Sequence, residues 1–179
     1  MTDKELNDSQ KAFREKEARE SAQMREQEIE GLDDLEDIDT QHGRYMTFKC
    51  DNNYYGIAII YVNEIIGLQQ ITELPETPDY IKGLINLRGK VVPIVDVRAR
   101  FGKPDMEYDD RTCVIVINVE DDTVGLIVDT IADVVSIKDE DILEPPTINH
   151  SADNKFIFGL GKAGDEVKML IDPAKLIYD

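Results

Sequence analysis

The stretch GLINLRGKVVPIVDV, residues 83–97, decides the fold that we predict for this chain. Two apolar runs rich in β-branched residues flank Arg88, Gly89 and Lys90, which interrupt the hydrophobic pattern. Because glycine adopts positive φ without steric cost, Arg88-Gly89 is typical of a two-residue turn between two strands of a β-hairpin. The runs 84–87 and 91–95 are almost wholly apolar, which predicts that both strands are covered on both faces.

Two polar side chains stand at the end of the first run, on either side of Leu87. Strict alternation along a strand would place Asn86 and Arg88 on one face, so that an amide and a fixed guanidinium lie together beside the small Gly83. Such a combination suits the grip of a partner helix. Arg88 could equally solvate the turn or pair with Glu64, and the residues alone leave these alternatives open.

Short strand-like runs separated by turn residues continue through most of the remaining chain. Turn signals about every 8–12 residues predict an all-β barrel or sandwich. One segment differs, because Ile60, Asn63, Glu64 and Gly67 recur at helical spacing and predict a short helix or turn. The other predicted features are hairpin turns at 51–53, 120–122 and 162–165, a short helix in 97–102 capped by Asp96, and a C-terminal helix that Asp172 caps and Pro173 starts.

The first 42 residues have a different composition. They carry 14 acidic and 6 basic residues and few large apolar side chains. Residues 9–30 are good helix formers without an apolar stripe, and such a helix is marginal in water. We therefore predict a partly helical, mobile leader and acidic linker over 1–42, followed by a folded domain over 43–179. A partner-binding arm is the alternative for the leader.

The charge and the cysteines restrict the partners and the compartment. A formal net charge of −18 disfavours nucleic acids and anionic membrane surfaces, which would repel the chain. Cys50 and Cys113 lie in strand-like contexts and are predicted to be buried free thiols in a reducing cytoplasm. The sequence has neither a signal-peptide pattern nor an apolar run long enough to span a membrane, so we predict a cytoplasmic protein without membrane insertion.

No catalytic or metal-binding constellation is recognisable in the sequence. GLGKAG at 159–164 lies between two predicted strands, which favours a hairpin turn over a phosphate-binding loop. The two histidines, His42 and His150, stand in the linker and a loop, away from either cysteine, so no metal-ligand spacing results. The acidic clusters fall in turns, where they are usually solvated. We therefore predict a protein that is not an enzyme and needs neither metal nor cofactor.

The order of these motifs resembles the CheW family of chemotaxis coupling proteins. The resemblance runs from about Tyr45 to Tyr178. The string GLINLRGKVVPIVDVRARFG carries most of its specificity, and the flanking segments YYGIAIIYVNEIIG, VIVINVEDDTVGLIVDTIADV and GLGKAGDEVKMLIDPAKLI occur in the same order.

The resemblance implies a fold of two intertwined five-stranded SH3-like β-barrels around a shared hydrophobic core. It also implies a non-enzymatic adaptor that couples methyl-accepting chemotaxis receptors, at their cytoplasmic tips, to the histidine kinase CheA. The alternative is the CheW-like domain of a longer CheV-type protein. Because no βαβ pattern of a receiver domain follows Tyr178, we expect the stand-alone adaptor.

The resemblance also assigns candidate contact residues, position by position. The kinase is expected to be contacted near Gly125 and Gly159, although both glycines could act only in shaping the barrels. The predicted receptor-binding residues are Val62, Glu64, Gly83, Asn86, Arg88, Val91 and Val92.

Overall fold

The computed structural model describes residues 12, 14–20, 41–145 and 154–179, and Asn154 by its backbone only. The chain divides into two compact units, 1–41 and 42–179. In the first unit, residues 14–20 are helical and exposed. The other predictions for the leader, like those for His150, lie outside the described residues.

The second unit is built from β-strands and a few short helices, in agreement with the predicted all-β class. Its described residues include two short α-helices, α1 (Val97–Arg100) and α2 (Pro173–Tyr178). Single turns of 3₁₀-helix occur at Ile59–Tyr61, Asp139–Asp141 and Asn154–Phe156. The strands are β1 (Arg44–Cys50), β2 (Asn53–Ala58), β3 (Val62–Gly67), β4 (Ile81–Leu87), β5 (Lys90–Asp96), β6 (Cys113–Val119), β7 (Asp122–Val128), β8 (Thr130–Ser136), β9 (Ile142–Leu143), β10 (Ile157–Ala163) and β11 (Glu166–Ile171).

The strands form two sheets that are interleaved along the chain. The first has the order β8-β1-β2-β11-β10-β9 and the second the order β3-β6-β7-β5-β4. The chain leaves the first sheet after β2, builds the whole second sheet and returns with β8. The first sheet has six strands rather than the predicted five, because the two-residue β9 pairs with β10. Closure of each sheet into an SH3-like barrel stays a prediction.

The core consists of one cluster that both sheets share and one smaller cluster on each sheet. The shared cluster includes Phe48 and Tyr55 from the first sheet and Ile115 and Leu126 from the second, all fully buried. Burial of such a side chain contributes about 1.5–3 kcal/mol, so the shared cluster makes a large contribution to joining the two sheets. The smaller clusters are Ile85, Val92, Ile94, Val114, Val116 and Ile127 on the second sheet, and Tyr45, Ile137 and Leu170 on the first.

A largely buried ion pair also joins the two sheets. Arg98 of α1 donates from Nε and Nη2 to the two carboxylate oxygens of Asp129, both at 2.8 Å. The backbone N–H of Asp51, in the β1–β2 turn, donates to the same carboxylate at 2.8 Å. The side chains of Arg98 and Asp129 are only 11% and 14% exposed. Hydrogen bonds to Asp129 raise the pKa of Arg98, although burial opposes the rise.

The predicted turns and caps are confirmed. Asp51 at φ 58° begins the β1–β2 turn, and Gly164 at φ 63° lies in the β10–β11 turn, so GLGKAG belongs to a hairpin. Asp96 accepts a hydrogen bond from the N–H of Ala99 at 3.3 Å and caps α1. Asp172 caps α2 in the same way, by accepting from the N–H of Ala174 at 3.0 Å.

A short helix or turn was predicted from the spacing over 60–67, and the helix is wrong. Only Ile59–Tyr61 turn once as a 3₁₀-helix, and Val62–Gly67 form β3, which pairs antiparallel with β6. Burial still alternates along β3, with Val62, Glu64 and Ile66 half-buried and the residues between them exposed. The apolar pattern does not follow this alternation, because an inward position carries Glu64 and an outward position carries Ile65, and the strand is therefore hard to recognise from hydrophobicity.

The prediction that β4 and β5 are covered on both faces is also wrong for the half of the hairpin next to the turn. Ile85 and Val92 lie opposite each other and are buried, whereas the next pair, Asn86 and Val91, is exposed. This half of the hairpin is therefore covered on one face only, whereas the last three residues of β5 are all buried and are covered on both faces. The prediction assumed that every apolar residue of the hairpin is buried. Val91 is apolar but lies on the open face, where it is 61% exposed.

The cysteines are both free thiols, but only one is buried. Cys50 is fully buried close to the Arg98–Asp129 pair, and burial, reinforced by the charge of Asp129, raises the pKa of its thiol to about 12. Cys113, at the start of β6, is only half-buried, which differs from the prediction. It packs against the shared cluster but is not enclosed by it.

Candidate partner-binding site

The turn between β4 and β5 has a backbone conformation that its first residue rarely adopts. Leu87 pairs with Lys90, and the two residues between them, Arg88 and Gly89, have φ of 53° and 82°. Positive φ at both positions is the type I′ turn, where Asn, Asp or Gly is favoured at the first position. A residue in such a sparsely populated conformation is a reason to look for a function of its side chain.

The side chain of Arg88 forms a bidentate ion pair with Glu64 of β3. Nη1 lies 3.0 Å from Oε1 and Nη2 lies 2.6 Å from Oε2. These hydrogen bonds, and the charge of Glu64, raise the pKa of Arg88. The side chain of Arg88 is still 73% exposed, against 21% for Glu64. Because a guanidinium has five N–H donors and Glu64 accepts from two, Arg88 retains donors for a partner.

The ion pair connects the two edges of the second sheet. β3 and β4 stand at opposite ends of its strand order. Thr72, beyond the end of β3, exchanges two backbone hydrogen bonds with Leu84 of β4, at 2.8 and 2.9 Å. The segment that follows β3 is therefore held to β4 by backbone bonds, and Glu64 of β3 holds the guanidinium of Arg88 near the other end of β4.

A second contact braces the hairpin from the other side. Nζ of Lys90 donates to Oγ1 of Thr123 at 2.8 Å, and that hydroxyl donates to Oδ1 of Asn118 at 2.8 Å. The β4–β5 turn is thus tied to both β3 and the β6–β7 hairpin. Sequence reasoning missed this chain of contacts, because Lys90 and Thr123 are 33 residues apart and no local pattern relates them.

The exposed face of the hairpin combines apolar and polar groups beside Arg88. Asn86 lies opposite Val91, and Leu84 lies opposite Pro93. We call these four residues the hairpin face. Val91 and Pro93 also line a cleft of about 440 Å³, whose lining is mostly apolar but includes charged side chains from the hairpin turns. The other lining residues are Tyr80, Ile81, Lys90, Val95, Asp121, Asp122, Thr123, Val124 and Ile177. An open apolar strip with a fixed cation at its end is suited to one side of an amphipathic helix.

Other predicted receptor-binding residues do not lie on this open surface. Val92 is fully buried in the cluster on the second sheet, and Val62 is half-buried against the shared cluster. Gly83 is buried at φ 144°, where an added Cβ would stand 2.0 Å from the backbone oxygen of Thr72. Gly83 thus permits the close pairing of Thr72 with Leu84.

The glycines predicted to contact the kinase stand where neighbouring side chains leave no space. An added Cβ at Gly125 of β7 would be 2.5 Å from Cδ1 of Ile94. At Gly159 of β10 it would be 2.5 Å from Cγ2 of Ile142. Both glycines therefore shape the packing of their sheets, which was the alternative that the sequence left open. A contact of either with a kinase stays a prediction.

The part of the chain that the structure describes can also be searched for a metal site and for a membrane-spanning helix. His42 is exposed, and its Nε2 lies 2.9 Å from Oδ2 of Asp139. In 41–145 and 154–179, no group of three or more His, Cys, Asp or Glu side chains is placed to hold a metal ion. Among the helices described, none is both long and apolar enough to cross a membrane.

Comparison with known proteins places the chain in a family. The sequence matches the family model of the CheW-like domain over residues 44–179. It is 40% identical over 133 residues to the chemotaxis protein CheW of Klebsiella aerogenes, with 74% of this chain and 80% of that protein aligned. It is 30% identical over 143 residues to the chemotaxis protein CheW of Treponema pallidum, with 78% of this chain and 84% of that protein aligned.

A solved structure supports the same relationship. The crystal structure of the scaffolding protein TtCheW from Thermoanaerobacter tengcongensis matches with a TM-score of 0.71 and 31% sequence identity. The match covers 76% of this chain and 93% of that chain. Sequence and structure agree, and the chain belongs to the CheW family.

Proposed function

We propose that this protein is a non-enzymatic, cytoplasmic adaptor that couples chemotaxis receptors to the histidine kinase CheA. Its membership of the CheW family and its likeness to a scaffolding protein support a chemotaxis adaptor role. The choice of receptor tips and CheA as the two partners rests on the resemblance of the sequence to the family. None of the three proteins compared above is a CheV-type protein.

One observation favours the β4–β5 turn as the receptor contact. Arg88 occupies a turn position that usually selects Asn, Asp or Gly, and its side chain is held by Glu64 yet remains largely exposed. If the residue only had to form the turn, a short polar residue would do so with less strain. The guanidinium is therefore the part of the site that we expect a partner to recognise.

The proposed mechanism is binding without a chemical reaction. The hairpin face and the adjoining cleft would bury apolar side chains of a receptor helix. Arg88 would fix the register of that helix through charge-assisted hydrogen bonds at the rim, while Glu64 holds the guanidinium in place. If receptor signalling changes how the three proteins fit together, coupling of about 1–3 kcal/mol is enough to change kinase activity.

Binding measurements with two variants of Arg88 test the proposal. A soluble fragment that contains the cytoplasmic tip of a receptor is titrated into wild type, Arg88→Ala and Arg88→Glu, and CheA is titrated in parallel. We expect weaker receptor binding by Arg88→Ala and a loss of at least about tenfold by Arg88→Glu, which reverses the charge that the partner meets. Circular dichroism should show that both variants are folded, because the substituted side chain is exposed.

Arg111→Glu provides the matched control, because Arg111 is also exposed and the change in net charge is the same. It should bind the receptor fragment with wild-type affinity. Wild-type affinity of both Arg88 variants would show that the receptor contact lies elsewhere. An equal loss in Arg111→Glu would show that net charge, and not the site, controls binding.

A further inference from the structure

Asn86 was predicted to contact a receptor, but the structure gives its side chain another partner. Oδ1 of Asn86 accepts a hydrogen bond from the backbone N–H of Gly89 at 2.9 Å. Gly89 is the second residue of the turn that carries Arg88. We propose that Asn86 is a positioning residue, which holds the turn so that Arg88 is presented to the partner, rather than a contact residue. This inference rests on the proposed function.

The turn needs such support because of the residue at its first position. Asn and Asp tolerate positive φ because their short polar side chains form local hydrogen bonds, and glycine has no Cβ to clash. Arg88, at φ 53°, has neither advantage. Asn86 provides a short polar side chain from two positions earlier in the chain and bonds the other turn residue. Asn86 thereby supplies, from outside the turn, the local hydrogen bond that an asparagine within the turn would form. The first turn position is then available for a cation.

The neighbouring contacts show what this support would position. Leu87 and Lys90 close the turn as the last cross-strand pair, and Asn86 belongs to the pair before it. The hydrogen bond between Asn86 and Gly89 therefore ties the end of β4 to the second residue of the turn. Beyond the turn, the guanidinium of Arg88 must reach both oxygens of Glu64, at 3.0 and 2.6 Å. A bidentate pair requires a defined position and orientation of the arginine, so a change in the turn backbone would disturb it.

Two substitutions separate positioning from contact. Asn86→Ala removes the acceptor, whereas Asn86→Asp keeps an oxygen that can accept from the N–H of Gly89. In the full chain we measure the hydrogen-exchange rate of the Gly89 amide by NMR and the affinity for the receptor fragment. Asn86→Ala should accelerate exchange and weaken binding severalfold, whereas Asn86→Asp, which keeps the acceptor but adds a negative charge near Arg88, should keep the wild-type exchange rate of the Gly89 amide. An unchanged Gly89 exchange rate in Asn86→Ala would overturn the inference.

A double-mutant cycle with Arg88 tests whether Asn86 acts through it. If Asn86 only positions Arg88, then Asn86→Ala should cause no further loss of receptor affinity in the Arg88→Ala background. Losses that add independently would identify Asn86 as a contact residue and overturn the inference. Wild-type affinity of Arg88→Ala alone would instead overturn the proposed receptor site. If Arg88→Ala weakens binding and Asn86→Ala does not, the proposed function stands and only the positioning role is wrong.

Discussion

Among the residues that the structure describes, two arginines form bidentate ion pairs with carboxylates, and one pair is buried while the other is exposed. Arg98 and Asp129 are nearly buried where the two sheets meet, whereas Arg88 is 73% exposed at the tip of a hairpin. Both pairs connect residues that are distant in the sequence. Only the buried one also bonds a backbone group of the other sheet, through the N–H of Asp51.

We infer from the difference that Arg98 serves the fold, whereas Arg88 is available for recognition of a partner. A buried pair cannot lose one partner without leaving an uncompensated charge, so removal of Arg98 should destabilise the fold. An exposed pair contributes little to stability, because water screens it and long side chains lose entropy when they are fixed. Glu64 and Arg88 are therefore expected to matter mainly for what binds to them.

The largest effect on stability should come from Arg98→Ala. This variant leaves the carboxylate of Asp129 buried beside Asp51 without its counter-charge, and we expect a loss of about 3 kcal/mol in the free energy of unfolding. Urea denaturation followed by circular dichroism measures the change. Arg88→Ala is the matched control and should unfold at nearly the wild-type urea concentration. Equal destabilisation by the two variants would remove the distinction between the pairs.

The rate at which a thiol reagent labels Cys50 should also distinguish the buried ion pair from the exposed one. The thiol is fully buried beside Arg98 and Asp129, and because its pKa is raised to about 12, it stays protonated at pH 8 and unreactive toward thiol reagents. A loss of about 3 kcal/mol would increase the population of open states about 100-fold. Arg98→Ala should accelerate Cys50 labelling accordingly, and Arg88→Ala should not. Cys113, which is half-buried, serves as the internal reference in each sample.

The smallest effect should be the contribution of the Glu64–Arg88 pair to stability. Single and double alanine variants at the two positions give their coupling energy from denaturation. We expect a small coupling that shrinks as salt rises from about 0.05 to 0.5 M, because exposed charges are screened over such a range. The Arg98–Asp129 coupling should change much less. A salt-insensitive Glu64–Arg88 coupling would mean that this pair is shielded from water.

Much of the fold could be predicted, because local chemistry determines its turns and caps. The turns at Asp51 and Arg88-Gly89 need positive φ, and Asp96 and Asp172 provide helix-capping carboxylates, so each is recognisable without tertiary context. β3 was missed because its half-buried position 64 carries a Glu and its exposed position 65 an Ile, so that the apolar residues do not alternate as the burial does. The exposed side of the β4–β5 hairpin was missed because Val91 is apolar, as core residues are, and yet is exposed to solvent.

Of the arrangement around Arg88, the sequence indicated one contact and missed the others. Arg88 and Glu64 were both identified, and one of the alternatives considered was their pairing, which the structure shows. Composition could not reveal that Val92 points into a buried cluster while Val91 does not, since that depends on register. It also could not show that Asn86 bonds the turn, or that Lys90 reaches Thr123, because both depend on three-dimensional placement.

If the exposed Glu64–Arg88 pair serves recognition, the guanidinium at position 88 must itself meet the partner, and a charge-swapped variant can show whether it does. Glu64→Arg combined with Arg88→Glu can restore the internal ion pair while it reverses the charge at the position of Arg88. The measurement is the affinity of this double variant for the receptor fragment, beside wild type and the Arg88→Glu single variant. We predict wild-type stability with affinity no better than that of Arg88→Glu. Recovery of wild-type affinity would contradict the account, because it would show that the internal pair alone, and not the guanidinium of Arg88, is what receptor binding requires.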